Sequence, residues 1–246
     1  MNHLVNIQRK LLSIKEIEHT LIRVGGTTRA YESRQEKNWI EKNLKDLEGY
    51  WDNYGNYHVW LKGSCICYCV NINTRLGERN YKIKKDGRYY IAEPDIWEAE
   101  KDAGIAILRY MIEKGTPGYY LFLRGEGALW LSKNQPQLFI EKDIYICLNF
   151  CNIGAIAQRF IFIDPEQRGY FPAHRLNIKI QNCIGNQEEN VEAKKQLETM
   201  KYMNSMAMQI TINPGVEKID DRQKLNIKEF EKIALLLLER EMFVEY

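Results

Sequence analysis

The alternation of strand-like and helix-like runs constrains this 246-residue chain most. Tyr57–Leu61 and Cys65–Asn71 read as strands around a turn at Lys62-Gly63. Tyr81–Lys85 and Arg88–Ile91 flank Asp86-Gly87, the dipeptide that a type I′ hairpin favours. Further strand-like runs are Tyr119–Leu123, Ala128–Leu131, Ile144–Phe150, Arg159–Asp164, Leu176–Gln181 and Met206–Ile212. Helical spacing covers residues 4–23, Ser33–Leu47, Asp95–Lys114, Glu188–Met203 and Ile227–Phe243. Pro94 suits the first turn of the third helix, and Asp95, Glu98 and Asp102 suit the positive end of its dipole. Asn182–Asn190 reads as an exposed loop.

Strands interrupted by helices, with hairpins among them, predict an α+β fold rather than a doubly wound one. The expected architecture is a mixed, mainly antiparallel sheet with an α-helical N-terminal cap over residues 1–50. Residues 51–246 form the main unit and bring C-terminal helices. Eight Phe, fifteen Tyr and five Trp supply material for a core. No apolar run approaches the roughly 18–20 residues of a membrane span. The N-terminus is charged by its tenth residue, unlike a signal peptide, so the expected setting is cytoplasmic, without membrane contact.

The alternating Cys65, Cys67 and Cys69 lie on one buried strand. Same-face neighbours there stand nearly 7 Å apart, too far for a disulfide or for sharing one zinc ion. They read as reduced core residues. The Gly-x-Ser-x-Gly elbow, the Walker A loop, Gly-x-Gly-x-x-Gly and His-Glu-x-x-His are all absent, and the sequence names no cofactor and no metal-ligand set.

Three weaker constellations remain. Asp164, ending a strand, is followed by Asn177-Ile-Lys179. This resembles the PD-(D/E)xK nuclease pattern, with Asn177 where a carboxylate is expected. Lys84-Lys-Asp-Gly87 resembles the Lys-x-Asp-Gly motif of covalent nucleotidyltransferases, and Phe122-Leu-Arg-Gly-Glu126 resembles a later motif of those families. The resemblance implies Lys84 as the nucleophile. Third, Cys65 or Cys67 is a candidate thiol nucleophile paired with His58 or His174.

The net charge of +2 names no partner, so charge must be read locally. Arg75, Arg79, Lys82, Lys84, Lys85 and Arg88 concentrate positive charge on the hairpin, with Tyr81, Tyr89 and Tyr90 interleaved. Cations for phosphates and rings for bases predict RNA or DNA as the partner, with Tyr90 among the contacts. The function expected is therefore nucleic-acid binding without catalysis. A nucleic-acid-processing enzyme and a protein-interaction subunit are the alternatives. The acids of Glu93–Asp102 compete for the same cations, and the apolar succession Ile233–Leu238 offers a protein partner a surface on the helix 227–243.

Overall fold

The computed structural model describes residues 2–63, 66–74, 77–134, 144–148, 161–163, 208–212, 215–220 and 222–238. The elements are α1 (Asn2–Val24), α2 (Arg34–Asn43), β1 (Tyr50–Trp51), β2 (Tyr57–Leu61), β3 (Ile66–Asn71), β4 (Lys82–Asp86) and β5 (Tyr89–Glu93). There follow α3 (Ala99–Glu113), β6 (Gly118–Leu123), α4 (Gly127–Asn134), β7 (Ile144–Leu148), β8 (Ile161–Ile163) and β9 (Met208–Ile212). β10 (Val216–Ile219), β11 (Arg222–Asn226) and α5 (Ile227–Leu238) complete them.

Two sheets form. The larger runs in the order β1-β2-β6-β3-β7-β9-β8 and the smaller in the order β10-β11-β5-β4. In the larger sheet β6, β3, β7 and β9 are parallel neighbours, and the remaining pairs are antiparallel. The smaller sheet is wholly antiparallel. The α+β expectation with a mixed sheet, N-terminal helices and a C-terminal helix is borne out. Among the described residues no helix is long and apolar enough to cross a membrane.

β3 and β6 are buried along their lengths, as strands covered on both faces must be. Cys67 and Cys69 are buried within β3 and form no disulfide. α3 is almost entirely buried and packs against α1, α5, β3 and β11. One cluster joins Leu21 and Trp39 of the N-terminal helices to Tyr68, Ile107 and Phe122. α5 gives that core Phe230, Ile233, Ala234 and Leu237, a stripe at helical spacing.

Several boundaries differ from the sequence reading. α3 begins at Ala99, and Asp95 lies in a turn after Glu93-Pro94. Asp102 stands in the first turn of the helix, as expected, and its charge is also met by Arg29. It is wholly buried, 2.7 Å from the guanidinium of the equally buried Arg29. Ala128–Leu131 is not a strand but the centre of α4, where the Trp130 N–H donates to the Glu126 carbonyl at 3.0 Å. A four-residue apolar run fits either element, and the turn at Gly125 decides for a helix. The hairpin β10–β11 has little sequence signal because it is mostly polar, with Val216 and Leu225 as its buried residues. The expected elements Leu176–Gln181 and Glu188–Met203, and the loop Asn182–Asn190, lie outside the described residues.

Candidate functional site at the carboxyl edge of the parallel strands

The chain leaves β3 through α3 to reach β6 on one side, then returns across β3 to β7 on the other. Successive connections thus run in opposite directions. The switch point, where open α/β sheets place their ligand crevices, falls between β3 and β7, and the carboxyl edge shared by β3 and β6 lies directly beside it. Four segments converge there. β3 ends in Asn71-Ile-Asn73, and β6 ends in Leu123-Arg-Gly-Glu126 at the start of α4. The turn before β2 brings Asp52–Asn56, and the approach to α2 brings Tyr31, Glu32 and Glu36.

Glu36 is the centre of this edge and is wholly buried. Arg124 donates to it from Nε at 2.7 Å and from Nη2 at 2.8 Å. The Asn73 amide donates at 2.7 Å and the Glu32 N–H at 2.8 Å. Burial works to raise the Glu36 carboxyl, but Arg124, Asn73 and the Glu32 N–H outweigh it and hold it below the usual carboxylate range. The Arg124 guanidinium is raised in return, chiefly by the Glu36 hydrogen bonds.

The amides fix one another around this pair. Asn73 Oδ1 accepts from the Gly125 N–H at 2.6 Å, while the Asn71 amide donates to the Gly125 carbonyl at 3.0 Å. Asn56 Oδ1 accepts from the Arg124 N–H at 3.0 Å. Gly127 is required beside it, because a Cβ there would stand 1.9 Å from Asn56 Oδ1. Gly55, at φ +93°, reverses the chain below the Arg124 side chain.

A second chain of hydrogen bonds starts from Asn56, whose amide donates to Asp52 Oδ2 at 2.8 Å. Asp52 Oδ1 accepts the N–H groups of Tyr54, Gly55 and Asn56, which shapes the turn. His58 Nε2 lies 3.1 Å from Asp52 Oδ2, and His58 Nδ1 lies 2.7 Å from the Tyr119 hydroxyl. Tyr119 in turn meets the Tyr50 hydroxyl at 2.9 Å. Burial lowers the His58 imidazole against the pull of Asp52, so the ring is neutral at pH 7. A carboxylate only accepts, so Nε2 donates to Asp52 and Nδ1 accepts from Tyr119. Asp52 itself is held below its usual range: burial raises it, and the Asn56 and His58 hydrogen bonds prevail.

This geometry settles where the proposed site residues stand. His58 is committed to Asp52 and Tyr119. Lys84 is an exposed hairpin residue in an ion pair with Glu93. Lys85 pairs with Glu18 at 2.8 Å, and Arg88 lies over the Tyr89 ring and donates to its hydroxyl at 2.8 Å. That hydroxyl donates on to Glu217. Tyr90 faces the core, where burial pushes its phenol up, and offers no stacking face to a base. Arg79 and Lys82 are exposed. Arg75, Asp164, His174, Asn177 and Lys179 lie outside the described residues. The edge residues Glu36, Asn71 and Asn73 escaped the sequence reading, and Arg124 entered it only inside the motif Phe122-Leu-Arg-Gly-Glu126. The signal for Asn71, Asn73 and Arg124 is a polar cluster at the end of each of two mostly apolar strands.

No family model matches the chain, and no curated protein matches it. Solved structures do. An aminopeptidase PepT from Bacillus cereus superposes with a TM-score of 0.60 at 12% identity, over 92% of this chain and 97% of that one. A tripeptidase from Staphylococcus aureus gives 0.56 at 12%, over 92% and 97%. A glutaminyl cyclase from an Acidobacteriales bacterium gives 0.56 at 11%, over 95% and 94%. At such identities the likeness is one of fold. It overturns the nucleic-acid reading, both as a binding protein and as a nuclease or nucleotidyltransferase, because the neighbours are peptidases and cyclases. The physical reason is in the hairpin: three of its cations are spent on acids and a ring within the fold.

Proposed function

We propose that this chain binds peptides on a hydrolase-type scaffold, at the carboxyl ends of β3 and β6, with the described residues recognising the ligand rather than activating water. The observation that carries this reading is the saturation of Glu36. Hydrolysis of a peptide bond requires a carboxylate, a nucleophile or a metal-held water with free valence. Glu36 accepts four donors, which is the full capacity of a carboxylate. The strand-end residues that touch it, Asn73 and Arg124, are an amide and a guanidinium that both donate to it. Among the described residues no group of three or more His, Cys, Asp or Glu side chains is placed to hold a metal ion.

The likeness to an aminopeptidase and a tripeptidase, over nine-tenths of both chains, favours a second reading. In that reading the chain is a peptide hydrolase, and groups outside the described residues activate water. One experiment separates the two. The protein is incubated with a panel of free and N-blocked oligopeptides, with and without added zinc, manganese or cobalt. Binding is followed by calorimetry and cleavage by mass spectrometry. Binding without cleavage is the expected result, cleavage establishes the hydrolase, and absence of both overturns each reading.

A further inference from the structure

Beside the saturated Glu36–Arg124 pair, three elements deliver one aromatic ring each to the carboxyl edge of β3 and β6. Tyr31 comes from the approach to α2, Tyr54 from the turn before β2, and Trp130 from α4. Tyr31 and Tyr54 stack with centroids 6.2 Å apart, and Tyr54 and Trp130 stack at 5.7 Å. Tyr31 is 40% exposed, and Tyr54 and Trp130 are half-buried. Gly125 lets the row settle on the strand end, since a Cβ there would meet the Tyr31 ring at 3.0 Å.

The charge around the row has one sign in excess. Arg124 lies over the Tyr31 ring at 5.3 Å, but Glu36 cancels its charge. Glu32 follows Tyr31, whose phenol is pushed up to about 12, chiefly by its hydrogen bond with Tyr54 and by burial, with the Glu32 charge adding a little. Glu126 stands one helical turn before Trp130, on the same side of α4, and its N–H donates to the Tyr54 hydroxyl at 3.3 Å. Both carboxylates are exposed, and neither joins an ion pair among the described residues. Aromatic faces attract cations through their quadrupole, and flanking carboxylates add to that attraction. A neutral or anionic group gains nothing from either.

We infer that Tyr31, Tyr54 and Trp130, with Glu32 and Glu126, form an alkylammonium subsite that receives a positively charged amine of the bound peptide. This rests on the peptide-binding reading above and adds the charge of the group received. An amine of this kind comes from a free N-terminus or from a lysine side chain, and the two share the same chemistry.

The test is calorimetric titration of the full chain with three probes. These are an alanine pentapeptide amide with a free N-terminus, its N-acetyl form, and an N-acetyl form with lysine at the centre. Cation–π contacts of this size discriminate by about 5- to 30-fold. The neutral acetylated probe is therefore expected to bind that much more weakly than at least one charged probe, and which charged probe wins names the source of the amine. Trp130→Leu and Glu126→Gln should each erode the difference between the charged and acetylated probes. Glu126 is exposed, so its variant carries the test if Trp130→Leu does not fold. Equal binding of charged and neutral probes overturns the subsite and leaves peptide binding standing. Discrimination unchanged in Glu126→Gln and in folded Trp130→Leu also overturns it. Failure of all three probes overturns the peptide reading and the subsite with it.

Discussion

The buried pair Arg29–Asp102 offers the sharpest test of how the site is held in place. Both side chains are wholly buried, with Nη2 2.7 Å from Oδ1. Arg29 also donates from Nε to the Ile72 carbonyl at 2.8 Å and from Nη1 to the Thr27 carbonyl at 3.1 Å, and it lies 4.7 Å from the Trp39 ring centre. Asp102 accepts in addition from Tyr81 and from Trp97 Nε1. Arg29→Met keeps much of the volume but leaves a carboxylate buried without its cation. Breaking one side of a buried pair costs about 3–5 kcal/mol. In a chain of this size each kcal/mol shifts the melting temperature by roughly 2–4 °C, so the expected loss is about 6–20 °C. Arg29→Met/Asp102→Leu removes both charges and should recover part of that loss, because apolar replacement of a buried pair is often neutral, while Tyr81 and Trp97 lose their acceptor. Calorimetric scans of the wild type and the two variants make the comparison. A loss below about 1 kcal/mol in the single variant would refute the reasoning, as would a double variant no more stable than the single one.

Three further outcomes follow from the same contacts. His58 is held neutral by burial, so its imidazole takes a proton more readily unfolded than folded. Stability is then full above the unfolded value of about 6.5 and falls as the pH drops below it. Urea midpoints between pH 7.5 and 5 should show this decline and His58→Gln should flatten it, whereas a level wild-type profile contradicts it. Arg124→Met leaves Glu36 buried without its cation and should cost about 3 kcal/mol or more by urea unfolding; a change under about 1 kcal/mol shows that the pair does not hold the strand ends. Because the hairpin cations are engaged within the fold, labelled RNA and DNA should show no salt-sensitive binding, and a steep salt dependence would restore the discarded reading.

The fold was readable wherever periodicity was long or turn chemistry was strong. α1, β2, β3, the Asp86-Gly87 hairpin, β6 and α5 all carry such signals. α4 did not, because Ala128–Leu131 is too short a run to separate helix from strand. The β10–β11 hairpin did not, because it is mostly polar and pairs with the sequence-distant β5. The site was the least readable part. Glu36 lies on a helix whose neighbours are mostly charged, and nothing local marks it as the one wholly buried carboxylate there. The basic hairpin misled for the complementary reason. Its cations are visible in sequence, but Glu18 and Glu217, which engage it, come from distant segments.

The smaller sheet has a consequence for the order in which the chain can mature during synthesis. The β4–β5 hairpin is translated early, yet its other neighbour is β11, and the bond from Tyr89 to Glu217 spans 128 residues. Until the segment carrying β11 has left the ribosome, β5 presents an open flank to the surrounding solution. Long-range pairing of this kind forms slowly, and exposed strand edges recruit other chains.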